Sequence, residues 1–273
     1  MITASIVIYN SPAKDLQTVV PCVANSIIET IYVIDNAAND LQRVFVEHLS
    51  KKVAYRQGQG NIGFGAAHNI AIREAFKKGA KYHIVLNPDI EFAEGIIENL
   101  VKFMDAHPET GQVIPKIRFP DGQLQYVCKL IPTPFDLLFR RLLPAKMNVR
   151  RTNKYELRFS GYENIMNAPY HHGCFMFFRL SALQEIGLFD ERFFMYPEDI
   201  DITRRMHEKY ETLFYPEVEV VHAHAAASRK SMKMFRIHFV NLIRYFSKWG
   251  WFFDEKRRET NRQILEDLRY NKR

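Results

Sequence analysis

The sequence predicts an α/β fold: a mostly parallel central sheet with flanking helices, followed by a C-terminal helical appendage. Three observations predict it. Short apolar runs alternate with helical stretches of about 10–15 residues through the first 118 residues, the spacing of βαβ units. Polar clusters fall repeatedly just after these runs, where open parallel sheets bind ligands. The last 45 residues read as helical and carry the whole excess of positive charge.

The elements follow in order. Residues 3–9 (TASIVIY) form a strand ending at Asn10-Ser11-Pro12, a turn signal, and a helix reaches about Ser26. Residues 30–35 (TIYVID) form a second strand that closes on Asp35-Asn36. A helix over 40–50 precedes a third strand over 53–56. The glycine-rich stretch QGQGNIGFGAAHN leads into a helix to about Lys78. A fourth strand, YHIVL, ends at Asn87-Pro88-Asp89. A helix over about 93–106 stops at His107-Pro108, and VIPKI follows. Residues 119–172 are less regular, with many prolines and a basic patch (Arg140, Arg141, Lys146, Arg150, Arg151, Lys154, Arg158). GCFMFFR then reads as a buried strand, SALQEIG as a short helix and the stretch around Glu198-Asp199 as a loop entering a helix. ETLFYP and VEVVHAH read as two strands, and the tail is helical with a break near Trp249-Gly250-Trp251.

The chain has 273 residues and a net charge of +7, but residues 229–273 alone hold 13 basic and 5 acidic side chains. The body, 1–228, holds 25 basic and 26 acidic. A nearly neutral body and a basic segment that matches no standard module argue against a nucleic-acid partner. Cys22, Cys128 and Cys174 are scattered, which excludes a zinc ribbon and a disulfide framework and predicts a reducing compartment. No window has 18 consecutive apolar residues, and the N-terminus lacks a basic stretch before its short apolar run. The expectation is a cytoplasmic protein.

Five motifs carry chemistry. A carboxylate at a strand end, as in Asn87-Pro88-Asp89, can hold a divalent ion against a diphosphate. The glycines of 58–65 let backbone approach a phosphate or a base, although their spacing is neither that of a P-loop nor that of a dinucleotide fingerprint. Glu198-Asp199 opens a helix whose dipole favours an ionised carboxylate, as a general base requires. His222 and His224, two apart on a strand, share a face and can reach one metal or phosphate. Of His171 and His172, adjacent residues on opposite faces, at most one can line an acceptor pocket beside Gly173-Cys174.

Taken together and in this order, IVIYN, VIDNAAND, NIGFGAAHN, VLNPD, GCFMFFR, GLFDERFFMYPEDID and VVHAHAAAS resemble the family 2 glycosyltransferases of the GT-A fold, in particular their bacterial rhamnosyltransferase-like branch. The resemblance covers about residues 3–230. It implies a GT-A domain over 1–228, with a nucleotide-binding half (1–118) and an acceptor and catalytic half (119–228), and a basic amphipathic tail over 229–273. Asp35 would contact the base of a nucleotide-sugar; Asn10, Asn61, Gly63, Asn69 and Asn87 would complete the donor pocket, helped by Arg229 or Lys230. Asp89, with His222 or His224, would hold Mg²⁺ or Mn²⁺. Asn87 replaces the first acid of the family's Asp-x-Asp, which removes one charge from that site. Asp199 would be the base of an inverting transfer, with His172, Gly173 and Glu198 on the acceptor side. The branch implies a donor of dTDP-L-rhamnose, with a UDP-hexose as the alternative. The acceptor would be a saccharide, carried on polyprenyl diphosphate, in O-antigen or capsule assembly.

The tail places Met234, Phe235, Phe239, Leu242, Ile243 and Phe246 at helical spacing with basic residues between them. Three readings stay open: a core-packing helix, a helix that pairs two copies in a homodimer, and an interfacial helix on an anionic membrane, with Trp249, Trp251, Phe252 and Phe253 at headgroup level.

Overall fold

The computed structural model of the protein describes residues 1–139, 145–223 and 232–270. Strands β1 (Ile2–Ile8), β2 (Thr30–Asp35), β3 (Val53–Arg56) and β4 (Tyr82–Leu86) run parallel in the order β3-β2-β1-β4. Helices α1 (Ala13–Ala24), α2 (Arg43–Leu49) and α3 (Phe64–Lys77) connect them. Ala4, Ile6, Val33, Ile34, Ile84, Val85 and Leu86 are all buried, because helices or other elements cover both faces of these strands.

The second half adds β5 (Ile90–Glu91), α4 (Ile96–Ala106), β6 (Thr110–Arg118), β7 (Cys128–Lys129), α5 (Ala145–Tyr155), β8 (Met166–Asn167), β9 (Tyr170–His171), β10 (Phe175–Arg179), α6 (Leu180–Ile186), α7 (Glu198–His207) and β11 (Glu211–His222). Strand β10 inserts between β4 and β6 and runs antiparallel to both. Strand β11 continues the sheet parallel to β6, with β5 and β8 as short antiparallel partners. The result is the predicted mostly parallel, mixed sheet. Cys128 and Lys129 of β7 pair with β9 in a separate two-stranded ribbon.

Two expectations need correction. ETLFYP and VEVVHAH are not two strands but one, β11, whose register shifts between Tyr215 and Glu219. Pro216 lies in that shift; it has no N–H to give the ladder, so the pairing breaks there and resumes. The stretch read as irregular contains α5, whose residues AKMNVRRTNKY offer few apolar side chains for a periodic signal.

Helices α8 (Met232–Trp249) and α9 (Glu255–Asp267) pack on the body. Leu242, Tyr245 and Phe246 are buried, the last two in a cluster with Tyr170, Phe193 and Ile200. Arg204 of α7 makes two 2.8 Å bonds to Asp254, both side chains buried, and its guanidinium stacks 3.9 Å from the Trp249 ring centroid. Trp249 Nε1 donates to Asp201 at 2.8 Å, and Lys248 pairs with the same carboxylate at 2.6 Å. Asn261 of α9 exchanges two hydrogen bonds with the backbone of Ile131. Trp249 and Trp251 are therefore packed against the body instead of standing free at a headgroup level. Phe252 and Phe253 are 68% and 89% exposed, and Phe239, Val240 and Ile243 form an exposed apolar stripe on α8. The side chains of Met234 and Phe235, like Arg140, Arg141 and Lys146 of the basic patch, lie outside those described.

Candidate active site

The C-terminal ends of β1, β2, β4 and β11 and the N-terminal end of β10 meet on one rim. Antiparallel β10 brings its start there because Phe175 lies opposite Leu86, the last residue of β4. Asn10, Asp35, residues 87–89, residues 172–174 and His222 are thus gathered along one edge by topology.

On the β2 side, Asp35 is buried. Its carboxylate accepts from the Ala37 amide at 2.8 Å and from the Tyr55 hydroxyl. The loop after β3 is laid along this strand end: Gln59 Nε2 donates to Asp35 O at 2.7 Å and Asn36 Nδ2 to Gly63 O at 3.1 Å. Gly63 has φ +91°, and a Cβ there would sit 2.2 Å from Phe194 O, so only glycine fits. The Phe64 amide donates to that same carbonyl at 3.0 Å, which ties this loop to the segment before α7. Asn61 accepts from the Gly63 amide at 3.3 Å. Asn69 is buried in α3, and its amide bonds Phe189 N, Phe189 O and Glu191; it positions the loop over the rim from below. Asn10 is exposed at the end of β1 with φ +51°, a conformation asparagine tolerates.

At the end of β4, His222 Nε2 lies 3.3 Å from Asp89 Oδ1 and 3.3 Å from Asn87 Nδ2. Its other ring nitrogen is 2.9 Å from Gln125 Oε1, and Gln125 Nε2 donates back to His222 O at 2.7 Å. The Ala223 amide donates to Asp89 O at 3.1 Å, so the two strand ends are stitched together. Burial opposes the charged imidazole, but Cys174 and the Asp89 carboxylate outweigh it and raise the His222 pKa to about 10. Protonated, His222 can bind phosphate; neutral, it can bind a metal. The donor atoms suit Mg²⁺ or Mn²⁺. Among the described residues no group of three or more His, Cys, Asp or Glu side chains is placed to hold a metal ion, so this corner offers at most two such ligands. His224, Arg229 and Lys230 lie outside the described residues.

Next to this corner, the His172 ring centroid is 5.9 Å from that of His222. The following amide, Gly173 N, donates to Asp199 Oδ2 at 3.0 Å, and Ile200 N donates to Asp199 Oδ1 at 2.8 Å. A Cβ at Gly173 would sit 3.2 Å from the Asp199 Cβ, so glycine is what permits this approach. Burial raises the Asp199 pKa to about 7; the Gly173 and Ile200 amides and the Lys129 ammonium keep it from rising further. Burial, with the neighbouring Asp199 charge, pushes the Glu198 carboxyl well above the ordinary carboxylate range. Asp201 points away, to Trp249, Lys248 and Arg205. His171 faces the interior, where burial lowers its pKa to about 3, which leaves His172 as the one at the rim. Gln125 and Lys129 lie outside every motif of the sequence, because only pairing with distant segments brings them to the rim; Gln59 sits inside the 58–65 motif, although its own role there is set by its bond to Asp35.

The mostly parallel, mixed sheet with flanking helices, its polar rim at the C-terminal strand ends, places the chain in the GT-A fold class. Solved structures agree on the fold. GalNAc-T7 with UDP, GalNAc and Mn²⁺ superposes with a TM-score of 0.59 at 17% identity, over 81% of this chain and 43% of that one. The mannosyltransferase PcManGT from Pyrobaculum calidifontis, with GDP-Man and Mn²⁺, gives 0.58 at 20% identity, over 89% and 64%.

The model of glycosyl transferase family 2 matches residues 3–187, and the chain belongs to that family. It is 28% identical over 201 residues to the N-acetylglucosaminyl-diphospho-decaprenol L-rhamnosyltransferase of Mycobacterium tuberculosis H37Rv, covering 64% of each chain. The match thus spans under two thirds of that relative's length. To rhamnosyltransferase WbbL of Escherichia coli K12 it is 26% identical over 225 residues, covering 80% of this chain and 82% of WbbL.

Proposed function

We propose that the chain is an inverting, metal-dependent glycosyltransferase that moves L-rhamnose from dTDP-L-rhamnose to a saccharide carried on polyprenyl diphosphate, in the assembly of a bacterial surface polysaccharide such as O-antigen or capsule. The observation that carries it is Asp199: a buried carboxylate with a pKa near 7, fixed by two backbone amides beside the Asp89–His222 corner. The names of the M. tuberculosis and E. coli relatives support the rhamnosyl group, and the former supports a polyprenyl-diphosphate acceptor. UDP in a solved neighbour keeps a UDP-hexose as the second donor reading.

An acceptor hydroxyl is a poor nucleophile at neutral pH. Asp199 takes its proton as it attacks the anomeric carbon from the face opposite the nucleotide, a contribution of about 10²–10⁴ in rate. Asp35 with the 57–63 loop holds the nucleotide. Asp89, with His224 or the neutral form of His222, would hold Mg²⁺ or Mn²⁺, which would supply positive charge for the diphosphate.

In this reading the enzyme sits on the cytoplasmic face of an anionic membrane, with Phe239, Val240, Ile243, Phe252 and Phe253 toward lipid and the basic tail residues around them. No helix among the described residues is long and apolar enough to cross the membrane.

A thermal-shift panel of nucleotide-sugars, with and without Mn²⁺, tests the proposal. A donor that stabilises only with the metal identifies base and sugar together. No shift with any nucleotide refutes it.

A further inference from the structure

Away from the rim, a cavity of about 1000 Å³ opens between α5, α9, residues 133–135 and residues 251–252. Its size is that of a small-molecule site. Arg151, Lys154, Arg257, Arg258, Arg262 and Arg269 line it, against a single lining carboxylate, Glu266. Two of these cations are already committed: Arg151 to Asp136 and Thr133 Oγ1, and Arg257 to Asp254 and Trp251 O. Arg262 and Glu266 are 4.0 Å apart, both mostly exposed, a pair of little worth. Among the described residues that line the cavity, cations outnumber carboxylates six to one. The rest of the wall is aromatic, with Phe135, Trp251, Phe252 and Tyr270. Phe252 and the neighbouring Phe253 are exposed beside it, an apolar edge next to a cationic interior.

Cations beside an apolar edge suit an amphiphile with a phosphate head. Arginine is the side chain best matched to phosphate oxygens. The cavity wall continues along the chain toward the candidate active site. Thr133, on its wall, is four residues from Lys129, whose charge acts on Asp199. An extended chain of that length spans at most about 14 Å. Asn261 of α9 clamps the intervening Ile131 at both backbone groups.

We infer that this cavity binds the diphosphate of a polyprenyl-diphosphate-linked acceptor, with the first prenyl units over Phe252 and Phe253 and the saccharide directed toward Asp199. The inference rests on the lipid-linked acceptor proposed above and assigns it a place.

Tryptophan fluorescence of the full chain tests it, because Trp251 lines the cavity. The probes are farnesyl diphosphate, farnesol and phosphatidylglycerol vesicles. Farnesyl diphosphate is expected to change the emission saturably and farnesol to leave it unchanged. The double variant Arg258→Glu/Arg262→Glu is expected to bind farnesyl diphosphate at least about 10-fold more weakly, the loss of one or more charge-assisted contacts. Its thermal shift with donor and Mn²⁺ should match the wild type, which shows that the variant folds and that the donor site is untouched. Equal binding by the double variant overturns the inference, as does an equal response to farnesol. So does binding to vesicles that farnesyl diphosphate cannot compete away, because the charge would then serve the bilayer surface. A wild type that responds to donor but to none of these probes defeats the cavity alone. One that binds farnesyl diphosphate but no nucleotide-sugar defeats the transferase reading instead.

Discussion

Two carboxylates on one rim, Asp89 and Asp199, live in opposite surroundings. Asp89 lies beside an imidazole, partly open to solvent, at a strand end stitched to its neighbour. Asp199 is buried at the first turn of α7, held by two amides, with the buried Glu198 carboxyl beside it in sequence. The first environment favours a fixed negative charge that can hold a cation; the second raises the carboxyl pKa to about 7, where it can take up or release a proton near neutrality. One residue type thus serves two ends, and the environments separate them.

The sharpest way to break this contrast is Asp199→Asn. Turnover is expected to fall by about 10²–10⁴-fold, with donor affinity nearly unchanged; substantial turnover in a transfer assay would remove the base assignment. Asp89→Ala should do the reverse. Affinity for the nucleotide-sugar and the response to Mn²⁺ should fall together, by about 10²-fold for a loss of several kcal/mol. A calorimetric titration with an unchanged metal response would count against it. Gln125→Ala frees the ring it orients and should weaken metal-dependent donor binding about 10-fold, the lower end for a ligand's hydrogen-bond partner, with little change at saturating donor and metal. The last test is of pH. Asp199 must be ionised to accept a proton, so kcat/KM should rise about tenfold per unit below pH 7 and level off above it. A flat profile from pH 5.5 to 8 would place the base elsewhere. The same raised pKa means that the folded state keeps a proton the unfolded chain has released. Its stabilising contribution is therefore lost as pH rises from the ordinary aspartate range to about 7.

The two halves of the chain differ in how far the sequence foretells them. Strands over 30–35, 53–56 and 82–86 match the expected bounds, because buried parallel strands are compact apolar runs closed by polar turns. In the second half the apolar run of β10 is equally plain, but nothing in FMFFR states that it runs against its neighbours. Direction is decided by what the chain must connect, not by side-chain pattern. Asp199, Asp89 and His222 were legible because each ends or begins an element beside a recognisable motif. Gln125 and Lys129 were not, for they lie in a stretch without periodicity and meet the rim only through pairing with distant strands. The tail was half legible. Its helices and the break at Gly250 follow from spacing, but spacing cannot tell that Leu242 and Phe246 face in while Phe239 and Ile243 face out.

The Arg204–Asp254 pair has a practical consequence for anyone shortening this chain. A protein cut before Lys248 would keep every residue of the rim, yet Arg204 would remain buried without its counter-ion and Asp201 without its indole and ammonium. Both sit on α7, the helix that begins with Glu198 and Asp199. Such a fragment would fail as a catalyst for reasons of folding, and its silence would be mistaken for proof that the tail performs chemistry. Point changes on the exposed phenylalanines, which leave this joint intact, separate attachment from catalysis.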